Sequence, residues 1–120
     1  MSDDTPATTG KKPAPKAFDI GGIGKGANWR GLMFSVLAKT GDQTAYPYAY
    51  VQKIDFNRSG LIVIDLASES VKIHGRNLGE LYYGLVDHHI REIVEGDPRH
   101  QPPPEGEAFI EKIEVVPLAE

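Results

Sequence analysis

The sequence predicts an α+β domain: an antiparallel meander of about four strands, one α-helix covering a sheet face, and a C-terminal edge strand. Three observations carry this. Short apolar runs between 31 and 75 are separated by turn-rich tetrads. A single stretch, about 77–95, carries apolar residues at three- and four-residue steps. A last β-rich run follows a proline-rich connector.

The elements follow in order. Residues 1–17 are rich in Pro, Thr and Lys and poor in apolar side chains, so they are expected to form a disordered tail. Residues 18–30 read as a glycine-rich linker, and 31–120 as one domain of a size that supports a single modest core. GLMFSVLAK (31–39) is the first strand, and TGDQ (40–43) is a turn cluster. AYPYAYVQKIDF (45–56) reads as one β-rich run, with Pro47 near its start where a missing donor is tolerated. NRSG (57–60) turns the chain into LIVIDL (61–66), a run apolar enough to be central. ASES (67–70) turns again into VKIHG (71–75).

The helix then opens. Asn77 is a favoured cap, and Glu80 stands at the spacing of a capping box, each side chain reaching the other's free backbone donor. Leu78, Leu81, Tyr82, Leu85, Val86, Ile90 and Ile93 make one stripe, and Gly96 suits a left-handed stop. DPRHQPPPEGE (97–107) is a stiff connector, and AFIEKIEVVPL (108–118) returns along an edge.

Composition narrows the chemistry. The absence of cysteine excludes disulfides and thiolate metal sites. The opening residues lack the apolar run of a signal peptide, and the longest apolar run, LIVI, is too short to span a bilayer. The expected location is cytoplasmic, without membrane contact. The net charge of −4 is uneven: residues 1–30 carry five bases and three acids, leaving eight bases and fourteen acids for the rest. An acidic body disfavours nucleic acid as a partner.

The most enzyme-like string is GGIGKG at 21–26. A phosphate loop needs a hydroxyl residue after its lysine and a helix after that. Here Lys25 precedes Gly26 and Ala27, and the following segment reads as a strand. The run is therefore a hinge, and no nucleotide or other cofactor is expected.

Other candidates are binding residues. Tyr46, Tyr48 and Tyr50 alternate, so in a strand they share one face, either as core or as a stacking platform for unpaired bases. His74 and Arg76 sit between a strand and a helix N-terminus, where an anion or carboxylate is favoured. His89 lies on the helix stripe, with too few neighbouring ligands for a metal site. No serine has a nucleophile's context and no carboxylate pair can be placed, so no catalytic residue is assigned.

The order of four strands then a helix resembles the PUR and Whirly units, which bind single-stranded nucleic acid. The likeness is one of element order, carried by no motif, and the fifth strand and acidic body depart from it. The expected function is a non-catalytic protein-interaction or small regulatory module that self-associates through a sheet face or edge. A single helix is too little to cover two apolar faces, which motivates this. The alternatives are a single-stranded nucleic-acid binder using the tyrosines and the basic tail, and a small metal- or histidine-dependent enzyme around His74, Arg76 and His89.

Overall fold

The structure, a computed structural model, describes residues 12–13, 16–21, 30–97, 100–101 and 103–117. Most of the expected tail, and the GGIGKG run beyond Gly21 with Lys25, lie outside the described residues. The strands are β1 (Lys12–Pro13), β2 (Phe18–Ile20), β3 (Met33–Leu37), β4 (Gln43–Pro47), β5 (Lys53–Phe56), β6 (Ile62–Asp65) and β7 (Glu69–Arg76). Helix α1 (Gly79–Val86) follows, then β8 (Ile90–Val94), β9 (His100–Gln101) and β10 (Phe109–Pro117). A small α+β fold is thus what forms.

One sheet has the order β10-β7-β6-β5 and is antiparallel throughout. It contains the later part of the expected meander as β5, β6 and β7, while the first expected strand, β3, lies in the second sheet; β10 is the expected C-terminal edge. The second sheet has the order β2-β8-β3-β4, with β3 and β8 parallel. A short parallel ladder joins β1 to β9. Phe34, Val36, Ile62, Ile64, Val71, Ile73, Ile90, Ile93 and Ile110 meet Leu78, just before α1, and Leu81 and Leu85 of α1 in one core.

The run at 45–56 is divided between the sheets. Pro47 ends β4, and Tyr48–Tyr50 form a 3-10 turn closed by Val51 N–H on the Tyr48 carbonyl at 3.0 Å. The turn carries the chain from one sheet to the other, so the alternation of 46, 48 and 50 is not that of one strand.

The helix is shorter than 77–95, because Asp87 and His88 stop it. His88 takes a left-handed φ of 61° and donates to the Leu85 carbonyl at 3.1 Å, while His89 donates to the Gly84 carbonyl at 2.8 Å. This is a Schellman stop with histidine where glycine is usual. Ile90 and Ile93 then belong to β8. The β2–β8 register skips Arg91, since Phe18 faces Ile93, Asp19 faces Glu92 and Ile20 faces Ile90. That bulge lets two isoleucines three apart point inward from a strand, imitating a helical repeat. In β10 the same device at Glu111 aligns Ile110 and Ile113.

Residues 18–30 also differ at their start from a plain linker. Ala17 is buried, its carbonyl accepts Val94 N–H at 2.7 Å, and β2 pairs with β8. Asn77 does not cap α1 either. It takes a left-handed φ of 59°, leaving Leu78 as the cap residue without a side-chain bond, and its amide donates to the Glu107 carbonyl at 3.1 Å. Asn77 is spent on turning from β7 into the helix, so the Asn77–Glu80 capping box does not form.

Candidate interaction surface

Helix α1 buries Leu81 and Leu85, and its cap residue Leu78 is buried in line with them, at the three- and four-residue spacing of one helical face. Tyr82, Tyr83 and Val86 therefore fall on its flank. Phe56, opposite Ile62 in the β5–β6 ladder, reaches that flank: its ring lies 5.3 Å from Tyr82, which meets Tyr83 edge-on at 5.2 Å. Tyr83 is 67% exposed, Val86 49% and Phe56 40%. Three aromatic rings and a valine thus form a continuous apolar patch beside β5, an edge strand of its sheet. On the other face of β5, Lys53 and Asp55 are exposed and 3.6 Å apart.

The residues singled out in the sequence are not brought together here. Tyr46 and Tyr48 are buried, and only Tyr50 is exposed. Phe34 packs on both buried rings, 5.6 Å from Tyr46 and 5.1 Å from Tyr48. Tyr48 donates its hydroxyl to the Ile90 carbonyl at 2.6 Å and stacks on His88 at 4.4 Å. Burial pushes its hydroxyl well above the ordinary tyrosine range, against a lowering effect of that hydrogen bond. Tyr46 is pushed up to about 12, first by burial and then by the Glu69 carboxylate beside it. The three tyrosines have no common exposed face on which bases could stack.

His74 pairs with Glu114 at 2.8 Å on the outer face of the antiparallel sheet. This bond, followed by the nearby Lys112, holds the Glu114 carboxylate below its usual range. Arg76 lies over the Phe109 ring at 5.1 Å, a cation–π contact that occupies its guanidinium face. His89 lies between α1 and β8, where Arg30 Nη1 approaches its Nε2 at 2.9 Å. Among the described residues, no three His, Asp or Glu side chains are grouped to hold a metal ion. A cleft of about 470 Å³ lies along Phe18 and the start of α1, its rim setting Lys16 against Asp19, Glu80 and Glu107.

Glu95 is the feature that sequence reasoning missed most completely. It is 9% exposed, and its two carboxylate oxygens accept Lys39 N–H and Ile113 N–H, each at 2.9 Å. Its own N–H donates to the Leu37 carbonyl at 2.9 Å. One side chain thus clasps the end of β3 to β10, joining the two sheets. Nothing in EGD at 95–97 distinguishes such a glutamate from a solvated one. Phe56 and Tyr83 had a weak signal, since a short helix with a tyrosine pair exceeds what its apolar stripe needs.

Comparison of the chain with protein-family models, with curated proteins and with solved structures found no match. No helix among the described residues is long and apolar enough to cross a membrane.

Proposed function

We propose that the chain is a non-catalytic interaction module of the cytoplasm that associates with a protein surface, in the first instance a second copy of itself. The observation that carries this is the patch of Phe56, Tyr82, Tyr83 and Val86 along edge strand β5. Aromatic side chains on a flat, partly apolar surface are the usual anchors of protein interfaces. An edge strand beside them adds backbone donors and acceptors that another strand satisfies. The acidic body and exposed mixed charges such as Lys53 and Asp55 suit a polar rim.

Light scattering on a concentration series tests the reading. The mean mass is expected to rise from one chain toward two as concentration increases. A mass of one chain throughout, with no binding of an environment-sensitive apolar dye, contradicts it.

A further inference from the structure

We propose that β5 pairs with β5 of a second copy, antiparallel and centred on Ile54, extending the four-stranded sheet across a two-fold axis. This rests on the self-association proposed above and names its surface and register.

The backbone is the starting point. Asn57 N–H donates to the Leu61 carbonyl at 3.0 Å, continuing the β5–β6 register in which Phe56 faces Ile62 and Ile54 faces Ile64. Antiparallel ladders alternate, so the groups of Asn57, Asp55 and Lys53 point to β6 and those of Phe56 and Ile54 point away. The outward groups of Ile54 and Phe56 are therefore those that a second strand needs; Gln52, which falls opposite Phe56 when Ile54 faces Ile54, gives its N–H to the Asp65 carbonyl at 2.7 Å and offers that strand its carbonyl alone.

The side chains set the register. With Ile54 opposite Ile54, Lys53 falls opposite Asp55 of the other copy, and Asp55 opposite its Lys53. Both residues lie on the outer face, more than half exposed. Two unlike pairs thus form at once, which favours this register over its neighbours. On the inner face, each copy brings Phe56 and the α1 flank toward the axis. Phe56 and Tyr83 together offer roughly 200 Å² of aromatic surface per copy, from their exposures and typical aromatic areas. A standard stable interface covers about 800 Å² per partner, so the expected dimer is weak, micromolar at best.

The other long edges are less suited. Along β10, Ile113 N–H is taken by Glu95 and the Ile110 carbonyl by Gly96 N–H at 2.7 Å. That strand ends in Pro117, which has no donor. Strand β4 ends in Pro47 and has no charged side chain to fix a register. Strand β2 is three residues long.

Charge reversal of the full chain, read by sedimentation velocity, tests the register. Lys53→Glu alone places Glu opposite Asp twice, and Asp55→Lys alone places Lys opposite Lys twice. Each is expected to weaken self-association about tenfold or more. Mixed one to one, the two variants are expected to form a heterodimer about as tightly as the parent chain, because both cross-strand pairs are then unlike. Circular dichroism of each variant confirms folding, and Lys53→Gln with Asp55→Asn serves as a milder pair. Either reversal variant dimerising as well as a parent chain that dimerises, or variants not rescued by mixing, overturns the β5 register while leaving self-association standing. A parent chain that never dimerises overturns both.

Discussion

Replacing Glu95 tests whether one buried carboxylate joins the two sheets. Its oxygens accept two backbone N–H groups at 2.9 Å, one from Lys39 beyond β3 and one from Ile113 in β10. A hydrogen bond to an ionised group is worth ~1.5–3 kcal/mol, so Glu95→Ala forfeits at most ~3–6 kcal/mol. Lys39 is exposed and Ile113 half-buried, so water reaches the freed donors and the lower end applies, about 3 kcal/mol. For a domain of this size that lowers Tm by roughly 10–20 °C. Glu95→Gln keeps one acceptor but turns an NH2 group toward the other donor, and should lose about half as much. Urea denaturation followed by circular dichroism measures both, and the glutamine variant covers the case in which alanine does not fold. If both variants stay within ~0.5 kcal/mol of the parent, as ordinary surface substitutions do, Glu95 is not a clasp.

Two further predictions concern packing and pH. A Cβ on Gly75 would lie 2.1 Å from the Phe109 carbonyl oxygen, which belongs to backbone, so Gly75→Ala should cost more than ~3 kcal/mol. A Cβ on Gly84 meets only the Ile90 side chain, at 2.5 Å, and the helix gains ~1 kcal/mol of propensity. Gly84→Ala should therefore be much the milder of the two by urea midpoint, and the reverse order would refute the β7–β10 approach. Tyr46, raised to about 12 from 10.0, binds its proton more tightly when folded. Its contribution is complete below pH 10 and is lost as pH rises from 10 toward 12. Tyr46→Phe should flatten the loss of stability over that window, and an unchanged alkaline profile would show that its hydroxyl is not held as described.

Much of the fold was legible because its strands follow simple rules. The hairpin at 57–60, the interior place of the 61–66 strand in its sheet, and the edge position of β10 all appear in the structure. The misreadings come from features whose local pattern imitates another. Arg91 is skipped in the β2–β8 register, so Ile90 and Ile93 inherit the spacing of a helix. The stop at His88 lacks the glycine that normally marks it. Tyr46, Tyr48 and Tyr50 alternate across a boundary between two sheets, which periodicity cannot see. The candidate interaction surface was the least legible part. It depends on Phe56 meeting Tyr82 across 26 positions of chain, and on which backbone groups of β5 face outward. Self-association is expected from apolar excess in the sequence alone, whereas the place proposed for it, the β5 edge, required the topology.

Amide hydrogen exchange at low and high protein concentration tests the β5 edge most directly. In the proposed dimer, the Ile54 and Phe56 N–H groups would be bonded to the other copy, so their exchange should slow as concentration rises. The Ala45 N–H on β4 should exchange at the same rate at both concentrations. Exchange at Ile54 and Phe56 that does not depend on concentration, or protection that appears on β4 instead, would contradict the account.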